Sequence, residues 1–258
     1  MSKATHPPDL ALLRALEQRG HHPLTVLLDY DGTLVPIADT PDRAAPDAEL
    51  RSLLAALADQ PDLDVHLVSG RPRDVLHAWF GDLPISLWAE HGFWYQPVHG
   101  GPWEAAERVA AEWLQKIRPI LEHFAATTPG SLIEDKAAGI AWHYRMAEPG
   151  FGARQADSLR TLLTDALFNK PLAVVDGKKV IEVRPRAVSK ALVARRLVSL
   201  RGSARLILAI GDDQTDEDLF ASLPDSSITV SVGSGPSRAR YALEDPDAVR
   251  ALLATLLA

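Results

Sequence analysis

A series of short apolar runs constrains the fold most: LTVLLD (24–29), LDVHLVS (63–69), ISLWAE (85–90), RLILAIGD (205–212) and SITVSVG (227–233). Predominantly apolar runs of this length read as strands buried on both faces. A helical pattern, DAELRSLLAALADQ, separates the first two, and helical segments precede the last two. Strands that alternate with helices imply parallel βαβ units, because a parallel connection needs a crossover long enough to hold a helix. An amphipathic helix is expected ahead of them at about 8–19. The chain should therefore build an α/β core around a doubly wound parallel sheet.

Residues 102–183 break that rhythm. They read as a helix (103–126), two strands (131–136 and 140–145), a second helix (152–168) and two more strands (172–176 and 179–184). HGGP on the way in and VRP on the way out punctuate this α+β unit as an insertion. The expected division is a core of 1–101 and 186–258 with an inserted cap of 102–185. Alternation puts Ile133, Ile140, Trp142, Tyr144, Ile181 and Val183 on the face that buries the two inserted helices. Glu134, Lys136, His143, Arg145, Glu182 and Arg184 fall on the other face. Such a face is either simply solvated or matched to a ligand whose hydroxyls both donate and accept hydrogen bonds, as a sugar's do.

In a doubly wound sheet the ligand lies outside the carboxyl ends of the strands. There the first run ends in DYDGT, with Asp29 and Asp31 two residues apart on extended backbone and so on one side. An aspartate ending a buried strand costs free energy unless it is paired or metal-bound. A plain turn would need one such residue, not two. The spacing suits phosphoryl transfer: Asp29 attacks phosphorus as a nucleophile, and Asp31 protonates the leaving oxygen and then activates water. Gly32 lets backbone approach a phosphate, and the Thr33 hydroxyl can hold one of its oxygens.

GDDQTDED carries five acids in eight residues, more negative charge than a folded site tolerates without a cation. Thr215 or Asp216 is expected to cap the following helix, with Glu217 and Asp218 favoured by its dipole. Asp212 is assigned to Mg²⁺, a hard ion that prefers oxygen ligands, with Asp213 or Asp216 in support. Lys190 opens a helix, where the dipole disfavours a cation unless an anion is bound. The alternative is a solvated surface lysine. Ser69 and Gly70 end the second run beside these clusters.

DYDGT, VSGR, a lone helix-opening lysine and GDDQTDE, in that order, resemble the haloacid dehalogenase superfamily of aspartate-nucleophile phosphatases. AEHG (89–92), EDK through HYR (134–145) and EVRP (182–185) look more closely like the trehalose-6-phosphate phosphatase family. That resemblance implies a haloacid dehalogenase-like core with an α+β cap, and hydrolysis of trehalose 6-phosphate through an aspartyl-phosphate. It implies a phosphate site of Thr33, Ser69, Gly70 and Lys190, and metal ligands Asp29, Asp31 and Asp212 for Mg²⁺. It also implies substrate contacts from Arg71, His91, Glu134, Lys136, His143, Arg145 and Glu182. A sucrose-phosphate or glucosylglycerol-phosphate phosphatase is the neighbouring alternative. A phospho-aspartate signalling receiver is the alternative from another class, disfavoured by Asp31, which would hasten loss of the phosphate that a signal must retain.

At 258 residues, 47% hydrophobic and 24% charged, the chain can bury a substantial core. A net charge of −7 without a basic run excludes nucleic acid as the main partner. No run of about 18 apolar residues could span a bilayer, and MSKATHPPDL lacks a signal-peptide core. The absence of cysteine fits a reducing compartment. A cytoplasmic, monomeric enzyme acting on a small-molecule sugar phosphate is expected.

Overall fold

The computed structural model describes residues 10–20, 22–98, 100–106, 111–201 and 205–257. Its contacts divide the chain into two compact units: Met1–Ile37, Ala44–Ala106 and Ser189–Ala258 form the first, and Ala38–Arg43 with Glu107–Val188 the second.

The first unit opens with α1 (Leu10–Glu17), β1 (Leu24–Leu28), α2 (Ala48–Ala58), β2 (Leu63–Val68), α3 (Arg73–Phe80) and β3 (Ser86–Ala89). Short strands β4 (Trp94–Gln96) and β5 (Glu104–Ala105) follow. In the second unit come α4 (Leu114–Thr127), β6 (Leu132–Asp135), β7 (Ile140–His143), α5 (Pro149–Ala166), β8 (Leu172–Gly177) and β9 (Val180–Pro185). The first unit resumes with α6 (Ala191–Arg201), β10 (Leu206–Gly211), α7 (Gln214–Ser222), β11 (Ile228–Val232), β12 (Tyr241–Leu243) and α8 (Pro246–Ala254).

The first sheet runs β12-β11-β10-β1-β2-β3-β4-β5, parallel from β12 to β3 and antiparallel from β3 to β5. Every residue of β1 and β2 is buried. Central position in a parallel sheet explains the apolar run of β1, since helices cover both faces. In β2 (LDVHLV) Asp64 and His66 are buried at alternate positions, with His66 Nε2 3.0 Å from Asp64 Oδ2 and the Trp88 Nε1–H donating to His66 Nδ1 at 3.0 Å. In α2, Leu50, Leu54 and Leu57 form the buried stripe, and the Asp47 carboxylate caps its start by accepting from the Leu50 N–H at 2.7 Å. This α/β core with an inserted α+β unit is the expected fold class.

In the second unit the sheet order is β6-β7-β9-β8, all antiparallel. Ile140, Trp142, Ile181 and Val183 face α4 and α5, packing with Ile117, Leu121, Phe124, Leu159 and Leu163. Ile133 and Tyr144 join the edge of that cluster. Each such side chain contributes about 1.5–3 kcal/mol when fully buried.

The expected helix at 103–126 is corrected: Glu104 and Ala105 are a strand on β4, and α4 begins at Leu114. Residues 107–110 of that expectation, and 8–9 of the first expected helix, lie outside the described residues. Among the described residues, no helix is long and apolar enough to cross a membrane.

Candidate active site

β1 hands the chain to a tight loop at the carboxyl edge of the sheet. The Asp29 N–H still donates to the Ile210 carbonyl at 3.0 Å, so β10 fixes its backbone. The Tyr30 carbonyl then accepts from Leu34 (2.9 Å) and Val35 (3.2 Å), folding 30–35 back on itself. Gly32 sits at φ 89°, and a Cβ there would run into the Asp212 carboxylate, so no other residue fits this close approach. The Thr33 hydroxyl lies 3.2 Å from both Asp29 Oδ2 and Asp212 Oδ1.

Lys190 precedes α6 and is only 1% exposed, which rules out the solvated surface lysine. Its Nζ donates to Asp29 Oδ1 at 2.6 Å and to Asp216 Oδ1 at 2.7 Å. The other Asp216 oxygen accepts from the backbone N–H groups of Asp212 (3.1 Å) and Asp213 (3.2 Å). Burial opposes the ammonium, but Asp216 and Asp29 hold Lys190 protonated, above its ordinary range. Burial pushes Asp29 well above the carboxylate range, and pushes Asp216 up to about 8, although Lys190 draws both down. One ammonium is thus too little positive charge for this cluster.

The arrangement fits a hard divalent cation. Asp29, Asp212 and Asp216 each offer a carboxylate oxygen, all within 4.8 Å of one another, and oxygen-only donors in charge excess suit Mg²⁺. The Asp31 carboxylate is not in that group. It is bound instead by Arg71, with Nε to Oδ2 at 2.7 Å and Nη2 to Oδ1 at 2.6 Å. Nor does Asp213 join the group. It is the N-cap of α7, accepting from Thr215 N–H (2.8 Å) and Thr215 Oγ1 (2.7 Å), while the Asp216 side chain completes a capping box. Burial would raise Asp213, but Lys190 and the bonds from Thr215 and Asp216 hold it below the carboxylate range. The expected cap at Thr215 or Asp216 is therefore corrected to Asp213. Glu217, expected to be structural, accepts from Ser237 Oγ (2.6 Å) and the Arg238 N–H (2.8 Å).

Ser69 leaves β2, which runs parallel beside β1, at the same edge of the sheet. Its N–H donates to Trp88 O at 2.9 Å. Glu90, His91 and Gly92 take φ values of 49°, 58° and 90°, an uncommon run of left-handed backbone that includes two non-glycine residues. That turn is laced to the β2 end by Glu90 N–H to Arg71 O (3.0 Å) and His91 N–H to Ser69 O (2.9 Å). The buried His91 ring lies so close to Gly70 that a Cβ there would be 2.6 Å from it. Ser69, Gly70, Arg71 and His91 are thus one group.

On the second unit, Lys136 Nζ donates to Glu182 Oε2 at 2.5 Å, and Arg184 Nε lies 3.8 Å from Glu182 Oε1. His143 Nε2 is 2.9 Å from Glu134 Oε2. Burial opposes the ammonium, yet Glu182 and Glu134 hold Lys136 above its ordinary range. Arg145 departs from this group: its guanidinium donates to the Ala38 and Lys178 carbonyls.

Residues 27–247 match the family model described as Trehalose-phosphatase. The chain belongs to the trehalose-phosphatase family. It is 43% identical over 231 residues to the "Bifunctional trehalose-6-phosphate synthase/phosphatase" of Thermoproteus tenax, covering 90% of this chain and 31% of that protein. A "Trehalose-phosphatase" of Schizosaccharomyces pombe is 36% identical over 245 residues, covering 89% of this chain and 30% of the relative. The chain thus spans about a third of the length of these curated relatives. Among solved structures, the C-terminal domain of C. albicans trehalose-6-phosphate phosphatase superposes with a TM-score of 0.90 at 30% identity, covering 99% of each chain.

Within this trehalose-phosphatase family member, Asp29, Thr33, Lys190, Asp212 and Asp216 converge as one site. Sequence reasoning missed the aromatic seat of Arg71, whose guanidinium lies 4.6 Å from the Trp79 ring and 5.6 Å from the Tyr30 ring. Only the adjacency of Tyr30 to both aspartates hinted at it.

Proposed function

We propose that this chain is a phosphoric monoester hydrolase that releases phosphate from trehalose 6-phosphate through an aspartyl-phosphate at Asp29. The observation that carries the reading is the Asp29 carboxylate, buried at a strand end, tied to Lys190 at 2.6 Å and set in an acid excess, within a chain of the trehalose-phosphatase family. Burying several carboxylates around one ammonium is costly, and a nucleophile awaiting phosphate and cation accounts for that cost.

An Asp29 oxygen forms the bond to phosphorus as the bond to the sugar oxygen breaks, and Asp31 gives its proton to that leaving oxygen. Water then attacks phosphorus with Asp31 as base, which restores the Asp29 carboxylate. Thr33, Ser69, Gly70 and Lys190 bind the phosphate oxygens. Mg²⁺ held by Asp29, Asp212 and Asp216 would neutralise phosphate charge. Lys136, Glu134, His143 and Glu182 exchange their mutual bonds for the sugar hydroxyls, with His91 contributing from the phosphate side.

The test is phosphate release across a panel of sugar phosphates with Mg²⁺ present. Trehalose 6-phosphate is expected to exceed sucrose 6-phosphate and glucose 6-phosphate by about tenfold or more in kcat/KM. No turnover of trehalose 6-phosphate, or equal turnover of all three, overturns the assignment.

A further inference from the structure

Asp29 and Asp31 leave the same strand two residues apart, and a cation gathered by carboxylates would attract both. Only one of them stands in the cluster with Asp212 and Asp216. Each oxygen of the other accepts one bond from Arg71, at 2.6 and 2.7 Å, and keeps a second lone pair able to carry a proton. Two parallel charge-assisted bonds of this kind fix orientation as well as distance, which a lysine cannot reproduce.

The grip is rigid because Arg71 is held at both ends. Its guanidinium rests against Trp79 and Tyr30, and the Tyr30 hydroxyl is itself anchored on the Ala44 carbonyl at 2.5 Å. At the backbone, the Arg71 N–H donates to Ser69 Oγ at 3.2 Å and its carbonyl accepts from the Glu90 N–H at 3.0 Å. The Arg71 side chain is 11% exposed, whereas that of Asp31 is 33% exposed and so remains open to a leaving group.

We infer that Arg71 is a positioning residue that divides the labour of the two aspartates, keeping Asp31 out of the cation cluster and aimed for proton transfer. This rests on the phosphatase reading above. In the phosphorylation step the proton passes from the Asp31 carboxyl to the leaving oxygen, and Arg71 neither gives nor takes one. Arg71 also joins the end of β2, where phosphate is proposed to bind, to the acid at the end of β1.

The experiment compares wild type with Arg71→Met and Arg71→Lys on nitrophenyl, phenyl and alkyl phosphates and on trehalose 6-phosphate. It reads kcat/KM, which reports only the steps up to phosphorylation. A good leaving group needs no acid, so nitrophenyl phosphate should change by less than about threefold in Arg71→Met, while alkyl and sugar phosphates fall by about a hundredfold or more. Arg71→Lys should recover part of that loss. Equal losses across the series, or no loss anywhere, overturn the inference.

A second readout is Mg²⁺ binding by calorimetry, without substrate. Arg71→Met should bind Mg²⁺ several-fold more tightly than wild type because Asp31 joins the ligands. That gain should vanish in an Asp31→Asn background. A gain of the same size in both backgrounds reports only the lost positive charge and overturns the diversion. If Arg71→Met does not fold, Trp79→Leu loosens the same guanidinium and should give the same leaving-group pattern at smaller amplitude; a flat pattern overturns the inference. Failure of the underlying reading looks different: wild type inactive on every ester, or Asp29→Asn still active, removes the phosphatase assignment itself.

Discussion

Two ionic groups, one in each unit, are built on opposite principles. In the first unit, three carboxylates gather from positions 29, 212 and 216, and the ammonium of Lys190 binds two of them, Asp29 and Asp216. In the second, charges balance on one sheet, Lys136 and Arg184 against Glu182 and Glu134, with His143 hydrogen-bonded to Glu134. Imbalance demands something from outside, because a buried negative excess is neutralised only by a cation or a proton. Balance demands nothing, and so suits a ligand that trades one set of hydrogen bonds for another. The proposed function follows this contrast, with chemistry assigned to the first group and sugar recognition to the second.

The largest break should come from Asp29→Asn. On the role proposed for Asp29, removing its nucleophilic carboxylate costs about 10⁴- to 10⁶-fold in kcat, measured as phosphate release, while Lys190 keeps Asp216 as a partner at 2.7 Å, so the variant should still fold. The same carboxylate-to-amide exchange at Glu182 should cost far less.

Next is Lys190→Met, which leaves two buried carboxylates without their ammonium and should lower unfolding stability by about 3–5 kcal/mol in urea titrations. Mg²⁺ should restore much of that loss, since a saturating ligand at a hundred times its Kd adds about 2.7 kcal/mol. Lys136→Met should gain nothing from Mg²⁺. Equal rescue of both variants would erase the distinction between the two groups.

Smaller still, Lys136→Ala or Glu182→Ala should lower kcat/KM on trehalose 6-phosphate by about ten- to a hundredfold, or about 1.5–3 kcal/mol, as for lost charge-assisted hydrogen bonds. Nitrophenyl phosphate should change by less than about threefold, under about 1 kcal/mol. Parallel losses on both substrates would make the sheet face a support of the catalytic site.

The smallest effect is on pH-dependent stability. Burial raises Glu134, but the bond from His143 and the charge of Lys136 win, and its carboxyl titrates below the ordinary range. A depressed carboxyl contributes stability above its unfolded value of about 4.3, and loses it as pH falls through the folded value. Glu134→Gln should therefore be less stable than wild type by about 1 kcal/mol near neutrality, with the gap closing in acid. A gap that does not vary with pH would show that pairing is not its source.

Much of this was legible in advance, for physical reasons. β1 and β10 announced themselves because burial on both faces leaves an apolar run, and β2 because its Leu63, Val65, Leu67 and Val68 keep it apolar around Asp64 and His66. Asp29, Lys190 and Asp212 stood out because each sits where its charge is locally unfavourable. The division between Asp213 and Asp216 was not legible, since acids at adjacent turn positions all make credible caps and a shift of one residue reassigns them. Arg71 could be placed at a strand end but not on Asp31, because that contact joins two strands 40 residues apart and relies on Trp79 from a third element. β4 and β5 are too short to show a period. Arg145 shared the parity of Glu134, Lys136, His143 and Glu182, but reach toward backbone carbonyls leaves no trace in alternation.

The place of β1 in the middle of its sheet also bears on how the chain is made. Leu24 pairs with Leu63 on one side and with Leu206 on the other. On a ribosome the first neighbour emerges soon after β1, but the second appears only after the whole inserted unit has been synthesised. Throughout that interval one edge of a mostly apolar strand lacks its partner, and such an edge is a template for pairing between chains. The inserted unit, with local antiparallel pairings of its own, can fold while β1 waits, since short-range contacts form faster than distant ones. The Asp29 cluster therefore assembles late: β10 holds the Asp29 backbone through Ile210, and Lys190, Asp212 and Asp216, which complete the cluster, all follow the inserted unit along the chain.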